Sequence, residues 1–570
     1  MQRNNIIENV VFTNKALCRD CNKCVRVCPV NAIKIENSQA QVIKEKCIDC
    51  GACVIECPQH AKSYSSELLA VKTLLAGNEK VVVSVAPSFA SVYSGWKITR
   101  IPSALRMLGF SLICETAVGA YYTAVESRKY IKSHPEKNHI CTACPAVVSY
   151  VEKYEPKLVD NLIPVVSPLI AHARDISRKH TGYKVVFIGP CIAKINEIKR
   201  PEFNGVVEAA ITFEELDQLL TESKIYLENC EESSFDDSPA GDSRLFPIEG
   251  GLLKTAGMST DMMDENHLCI SGPKEVQEAL SLLTSGSNPK VVEPLYCKHG
   301  CINGPAVNRE GNNYVDRQKI LNYNRKKENG SKGKANHRTS FSTRYYHGNS
   351  ITEKSFSEME IMEVLRKTGK EDSEHELNCG GCGYDTCRKK AIAVLQGIAE
   401  VEMCIPYMRR LAEKRSNLII EKDPNGIVVL DNELKIRHMN PAFKSMFFCS
   451  DKIIDQQISY ILDADPFEKI LTNPDSVIHE EIKISGYNLV CHQFCYSIPE
   501  ESKIIGVFVD VTEFQNNQRK LNHFKTKTIH QANELIEHQI KMAQEQAKFL
   551  GENTARSEML LQQLIDSIEK

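Results

Sequence analysis

Apolar runs of strand length alternate with helical stretches along the first two thirds of the chain. Val81-Val82-Val83-Ser84-Val85 and Val185-Val186-Phe187-Ile188 are β-branched runs, and helical segments separate them. This alternation predicts an α/β domain over 76–375, interrupted by a polar loop near 325–340. Two cysteine runs dominate residues 1–75, and a compact cysteine module occupies 376–410. Within 411–515, Asp423-Pro424-Asn425-Gly426 is a turn that feeds the apolar run Ile427-Val428-Val429-Leu430, which predicts a further strand. The stretch 516–570 contains no proline. Its Ile529, Asn533, Ile536, Ile540, Ala543, Ala547, Leu550, Thr554, Ser557, Leu561, Leu564 and Ile568 follow an alternating four-three spacing. That is the a/d seam of a coiled coil, weakened by its polar members and Gly551, and it implies a homodimer. A lone amphipathic helix docked on its own domain is the competing reading.

At 570 residues the chain is too long for one core and should divide into about three to five units. An apolar content of 42% and a charged content of 25% are those of ordinary globular protein. No stretch approaches the roughly 18 consecutive apolar residues of a membrane helix, and the first residues lack the apolar core of a secretory signal. A net charge of −3 offers no attraction to nucleic acid, and the basic stretch from Arg325 to Arg338 reads as a solvated loop. The 23 cysteines are the anomaly. Their spacings are those of metal ligands rather than of a small secreted disulfide scaffold, which implies a reducing compartment, the cytoplasm.

Cys18, Cys21, Cys24 and Cys28 have the spacing C-x2-C-x2-C-x3-C followed by Pro29, and Cys47, Cys50, Cys53 and Cys57 repeat it before Pro58. Zinc sites usually use two ligand pairs rather than runs of four. The pattern resembles the bacterial two-cluster ferredoxin, an α+β module in which the fourth cysteine of each run ligates the other cluster. That resemblance implies one 4Fe–4S cluster on Cys18, Cys21, Cys24 and Cys57 and another on Cys47, Cys50, Cys53 and Cys28.

Three further segments carry the chemistry: Thr142-Ala143-Cys144-Pro145-Ala146, Gly189-Pro190-Cys191-Ile192-Ala193-Lys194, and Glu293-Pro294-Leu295-Tyr296-Cys297-Lys298-His299-Gly300-Cys301. In this order, behind a two-cluster ferredoxin, they resemble the H-cluster loops of FeFe-hydrogenases. The resemblance implies that Cys144, Cys191, Cys297 and Cys301 hold a 4Fe–4S cubane. Cys301 would bridge it to a diiron unit carrying CO, CN⁻ and an azadithiolate. Lys194 would be the cationic donor to one cyanide, and Ala86-Pro87-Ser88 matches the loop that seats the other through Ser88. The competing reading is a plain cubane, as in hydrogenase-like assembly proteins, with Lys194 an ordinary lysine and Ser88 an ordinary helix cap.

The chain departs from that family where protons move. The residue before the cubane ligand is a proton-relaying cysteine in bulk hydrogenases, and here it is Ala143. In the segment from Glu115-Thr116-Ala117-Val118-Gly119-Ala120 to Glu126-Ser127, Ser127 and Tyr130 stand where relay carboxylates are expected, with Glu126 or a water chain as the alternative substitutes. Gly189 replaces a usual methionine, and Leu295 departs in a similar way. Positioned acid–base groups contribute about 10²–10⁴-fold, so the resemblance implies slow turnover.

Cys379, Cys382, Cys387 and Cys404 are spaced C-x2-C-x4-C-x16-C among glycines and resemble a small 4Fe–4S domain, with zinc as the alternative. Cys114, Cys141, Cys230, Cys269, Cys449, Cys491 and Cys495 remain and are expected to be packing residues. Cys491 and Cys495, four apart on a strand, should face one side. Residues 411–515 resemble a PAS sensor domain through Asn425-Gly426-Ile427, Ile436 to Phe443 and the closing Asp510-Val511-Thr512-Glu513. No ligand is indicated, and His438 reads as an ordinary strand residue. The whole therefore reads as a multidomain, cytoplasmic, sensory FeFe-hydrogenase. It would act on H2 and protons, exchange electrons with a carrier such as ferredoxin, depend on maturation enzymes and signal to a separate kinase or phosphatase, with no nucleic acid or membrane partner. A working hydrogenase with C-terminal docking domains and a non-catalytic iron–sulfur sensor are the rivals.

Overall fold

A computed structural model describes residues 10–511, apart from 285–288, 308–310, 327–345, 349, 352–353 and 488, together with scattered positions between 528 and 542. The chain divides into two units, Met1–Met403 and Cys404–Lys570. No helix among the described residues is long and apolar enough to cross a membrane. Most of the polar loop near 325–340 and most of the proposed coiled-coil seam lie outside the described residues.

The first unit opens with two small antiparallel pairs. Strand β1 (Val11–Thr13) pairs with β4 (Lys62–Tyr64), and between them in sequence β2 (Ile33–Glu36) pairs with β3 (Gln39–Val42). Asn37 and Ser38, at the β2–β3 turn, both have positive φ, which matches the twist of a two-residue hairpin. Two parallel sheets follow. The first has the order β6-β5-β8-β9, from β5 (Val81–Val85), β6 (Leu112–Glu115), β8 (Lys184–Gly189) and β9 (Ala209–Thr212). The second has the order β10-β11-β7, from β7 (His139–Ile140), β10 (His267–Ser271) and β11 (Val291–Leu295). Every residue of β5 and β11 is buried, as expected of parallel strands covered on both faces.

The small module and the sheets share one interior. Val25, Ile33 and Ile35 pack in the same core as Val83, Val186 and Ile211, and Val30 and Ile48 pack with Ile140, Val147 and Val292. Tyr384, Ala393, Ile398 and Met403 join the first of these cores. Ile35 N–H also donates to Ile398 O at 3.0 Å, so the segment around 380–403 sits on the cysteine-rich module.

The second unit is a five-stranded antiparallel sheet. In chain order its strands are β12 (Gly426–Asp431), β13 (Ile436–Met439), β14 (Val477–Ile484), β15 (Leu489–Ile498) and β16 (Lys503–Asp510), arranged β13-β12-β16-β15-β14. Asn440, fully buried, ties its opening together. Its Oδ1 accepts from Ile427 N–H at 2.8 Å and caps helix Pro441–Met446 through Phe443 N–H, while Nδ2 donates to Ile420, Asp423 and Asn425 carbonyls. Cys491 and Cys495 are both fully buried in the same core, and His438 lies on β13 with Glu421 3.7 Å away.

Candidate functional site

The chain leaves the carboxyl ends of both parallel sheets in the loops that the sequence marks. β5 runs into Ala86-Pro87-Ser88, β6 into Thr116, and β8 into Pro190-Cys191. In the other sheet, β7 runs into Ala143-Cys144 and β11 into Tyr296-Cys297. Strand carboxyl ends are where open parallel sheets form crevices. Here they enclose a cavity of about 90 Å³ whose walls include Cys144, Cys191, Cys297 and Cys301. Pro87, Ser88, Thr116, Ala143, Lys194 and Leu295 also line it, and so does Cys50 of the cysteine-rich module.

The four cysteines influence one another electrostatically. Burial pushes the Cys191 thiol up to about 12, with Cys144 adding to the rise and Lys194 opposing it. Burial also raises Cys301 and Cys297, and each is raised further by Cys191 and Cys144. Burial opposes ionisation of Cys191, Cys297 and Cys301 unless a compensating cationic centre is present, which is the environment an iron–sulfur cluster requires. Backbone geometry holds them. Cys144 precedes helix Pro145–Tyr154, and Cys301 N–H donates to Pro247 O at 2.7 Å.

Ser88 is buried, and its Oγ has no hydrogen-bond partner among the described residues. It precedes helix Phe89–Val92 but makes no capping bond, so the helix-cap reading does not hold. An unpartnered buried hydroxyl at a cavity wall fits a ligand that accepts hydrogen bonds. Lys194 Nζ is 2.8 Å from Glu197 Oε2, and Ser167 Oγ donates to the same oxygen at 3.0 Å. A lysine has three donors, so this pairing orients Lys194 and leaves it donors for the cavity. The residues present therefore fit a cubane with an adjoining group held by shape and hydrogen bonds.

The expected relay positions are not gathered at this wall. Ser127 is fully buried with no partner for its Oγ among the described residues, Glu126 is ion-paired with Lys129 at 2.6 Å, and Tyr130 stacks on His134. At Gly189, a Cβ would lie 2.5 Å from the Phe187 ring, which itself lines the cavity, so Phe187 fills the space of a larger side chain there.

Cys18, Cys21, Cys24 and Cys57 line a second, smaller cavity. Burial pushes the Cys24 thiol up to about 11 against the pull of Lys62, and Cys18, Cys21 and Cys57 add to the rise. Cys53 is raised to about 12 by burial, then by Cys28, and Cys50 is likewise raised by Cys28 and Cys53. The groupings cross between the two runs. Cys28 Sγ accepts from Ala32 N–H and Cys57 Sγ from Ala61 N–H, both at 3.2 Å, so the duplicated runs repeat the same N–H···S contact. In the later module, Asn378 Oδ1 accepts from Cys387 N–H at 2.8 Å, and Arg26 donates to Gly381 O at 3.2 Å. Buried Tyr384 lies within electrostatic reach of both Cys382 and Cys28. Cys404 precedes helix Ile405–Lys422 of the second unit.

Of the remaining cysteines, Cys114, Cys141, Cys230, Cys491 and Cys495 are buried, and Cys269 and Cys449 are half-buried. The sequence reading passed over Ser84 and His172. Their signal was a single polar residue inside the all-buried strand Val81–Val85 and a histidine on the buried face of an amphipathic helix.

Residues 79–305 match the family described as iron only hydrogenase large subunit, C-terminal domain. Residues 10–58 match a 4Fe-4S dicluster domain, and 376–406 a putative Fe-S cluster domain. The NADP-reducing hydrogenase subunit HndD of Solidesulfovibrio fructosivorans is 25% identical over 352 residues, 50% of this chain and 55% of that protein. The cytosolic Fe-S cluster assembly factor NAR1 of Vanderwaltozyma polyspora is 34% identical over 112 residues, 19% of this chain and 21% of that protein. The chain thus spans about half the length of the first of these curated relatives and less of the second. An apo FeFe-hydrogenase structure, HydA1 from Chlamydomonas reinhardtii, superposes with a TM-score of 0.39 at 18% identity, covering 46% of this chain and 88% of that one. The chain carries an FeFe-hydrogenase-like domain together with 4Fe–4S domains.

Proposed function

We propose that this protein is a hydrogen-sensing FeFe-hydrogenase that turns over slowly and reports H2 as a change in cluster redox state. The observation that carries this reading is the cavity at the strand ends, where four cysteines, Ser88, Lys194 and the methyl group of Ala143 share one wall. Cys144, Cys191, Cys297 and Cys301 would hold the cubane, with Cys301 as the bridge to the diiron unit. That unit, with its CO, CN⁻ and azadithiolate, supplies the chemistry of heterolytic H–H cleavage or formation. The chain's own residues bind and orient it. Ser88 Oγ and the Lys194 ammonium would donate hydrogen bonds to the two cyanides, Pro87 would shape the loop that carries Ser88, and Glu197 orients Lys194. The apolar wall keeps water out and so strengthens those contacts. Ala143 has no proton to relay. Without an acid–base group at position 143, part of the about 10²–10⁴-fold that a fully positioned relay contributes is forgone, which suits detection better than bulk metabolism.

Electrons would pass from the cavity by way of the cluster that includes Cys50, and then by the Cys18 set to a carrier such as ferredoxin. The second outlet is the cluster of Cys379, Cys382, Cys387 and Cys404. Cys404 begins the helix that opens the second unit, so the chain itself connects that cluster to the PAS-like region 411–515. From there the signal would run through the tail, 516–570, as a coiled-coil homodimer, to a separate kinase or phosphatase in the cytoplasm. Maturation enzymes would install the diiron unit.

The identity with a cluster assembly factor favours a second reading, a plain cubane on the same cysteines. Infrared spectroscopy after maturation separates the two. CO and CN⁻ stretches are expected in the wild-type protein and should vanish in Cys301→Ala. Intact iron–sulfur clusters without such bands in the wild type would leave the plain cubane standing. Turnover rate separates a sensor from a working hydrogenase with docking domains.

A further inference from the structure

We infer that Thr116, Ser84, His172 and Asp237 form the proton route between the cavity and solvent in this chain, an inference that rests on the hydrogenase reading above. Ser84 is the polar exception in the buried strand Val81–Val85. Its Oγ lies 2.7 Å from Thr116 Oγ1 and 2.8 Å from His172 Nδ1, and His172 Nε2 lies 3.0 Å from Asp237 Oδ2. The inner end of this chain reaches the site, because Thr116 lines the cavity. The outer end reaches water, because the Asp237 side chain is 20% exposed against 1% for His172. Glu115 N–H donates to Asp237 Oδ1 at 2.8 Å and fixes the carboxylate, and the Cys114 thiol also hydrogen-bonds to it. Each link is an ordinary hydrogen bond, so no protein atom needs to move for the chain to be continuous.

The chemistry of the groups fixes the polarity of the chain. A carboxylate can only accept, so the His172 proton sits on Nε2. In the neutral ring Nδ1 then accepts, so Ser84 donates to it, and Thr116 in turn donates to Ser84. One lone pair of Thr116 Oγ1 is left to accept a proton from the cavity. When it does, Thr116 passes its own hydroxyl proton to Ser84, and Ser84 passes its own to Nδ1. His172 then releases the Nε2 proton to Asp237, which gives it to water. One proton enters, one leaves, and each O–H or N–H bond broken is replaced by another. Passage of the proton leaves the hydroxyl protons reversed and the imidazole proton on Nδ1. Uptake is the reverse sequence from that state, and a second release requires the hydroxyls to turn back and the imidazole proton to return to Nε2. The segment from which the family resemblance would draw a relay offers no comparable chain. Ala143 carries no exchangeable proton, Ser127 Oγ has no partner among the described residues, and Glu126 is held by Lys129.

The test uses the matured protein, with diiron content measured from the infrared bands of every variant. Thr116→Val keeps the shape and removes the hydroxyl, and Ser84→Ala and His172→Gln break the next two links. Per loaded site, each should lower hydrogen turnover by at least about tenfold, less than the about 10²–10⁴-fold of a fully positioned proton-transfer group, while Thr116→Ser retains it. A readout independent of turnover is nitrogen-15 NMR of histidine-labelled protein, with the His172 signals identified by their loss in His172→Gln. A neutral ring protonated at Nε2 and accepting at Nδ1 is expected, with the Nδ1 signal moving in Ser84→Ala. A ring protonated at Nδ1, or an Nε2 without a proton because a metal sits among Cys114, His172 and Asp237, overturns the route. Intact infrared bands with unchanged turnover in Thr116→Val and His172→Gln also overturn it and leave the hydrogenase reading in place. Absence of the bands from the wild-type protein removes that reading, and the route with it.

Discussion

Glu293 carries a carboxyl group into the interior of β11, where two backbone amides and, among the described residues, no cation act on it. Its oxygens accept from Leu252 N–H at 3.0 Å and Leu253 N–H at 2.9 Å. Burial outweighs those donors and raises its pKa from 4.5 to about 7, with nearby Glu249 adding to the rise. The folded protein therefore holds this proton more tightly than the unfolded chain does. The associated stability is fully present below the unfolded value and is lost as pH rises from there to about 7, at about 1.4 kcal/mol per pH unit. A pH titration followed by infrared should show the C=O stretch of a buried carboxylic acid disappearing as pH passes about 7. Glu293→Gln should lack that band and should lose less thermal stability than the wild type over the same interval. No such band in mildly acidic solution would mean that the two amides suffice to hold the group ionised. At this scale the sequence was legible for residues whose chemistry is local and repeated. The short cysteine spacings marked three ligands of each ferredoxin-type run, while the crossed fourth ligands and the set of Cys144, Cys191, Cys297 and Cys301 came from the family resemblance. Ser84, His172 and Asp237 gave no such signal, because three unlike residues far apart in sequence meet only through tertiary packing.

Helices Ala117–Ser133 and Pro168–Lys179 cross where Gly119 has no side chain. A Cβ there would lie 2.1 Å from Pro168 O and 2.6 Å from His172 Cβ, so the second helix could not come close enough to bring His172 to Ser84. Gly119→Ala must push backbone rather than a flexible side chain. It is expected to destabilise the first unit by about 1–3 kcal/mol, the usual cost of overpacking, and to lengthen the His172–Ser84 contact. Thermal unfolding of the cluster-loaded protein checks the first effect, and an unchanged midpoint would show that the crossing has slack. The β-branched runs of β5 and β8 were readable as buried strands, and so were the loops that follow them. The second parallel sheet was not. Its β7 spans two residues, His139–Ile140, and β10 mixes His267, Cys269 and Ser271, so neither shows a periodic apolar signature. Cys491 and Cys495 were readable as one face because a strand repeats every two residues, and both are fully buried.

Across the whole chain, every proposed cluster ligand lies at or before Cys404, and the sequence beyond it contains only Cys449, Cys491 and Cys495. Cluster loading and self-association should therefore be separable. The antiparallel sheet of the second unit ends in β13 on one side and β14 on the other. An open edge is a route to strand pairing between copies, but β14 carries His479, Glu480, Glu481 and Lys483, and charges along an edge discourage such pairing. The heptad seam from Ile529 to Ile568, with apolar residues at most of its a and d positions, is the better candidate for joining two chains. Deleting the residues after Glu513 removes the seam and leaves β16 intact, since that strand ends at Asp510. Light scattering should then report a monomer of the shortened chain in place of the full-length dimer, while iron content per chain and the infrared bands stay as they were. If the shortened chain is still a dimer, the contact between copies lies elsewhere, and the tail is a helix docked on its own chain. If it is a monomer and iron per chain falls, the dimer supports cluster assembly, and association and loading are not independent.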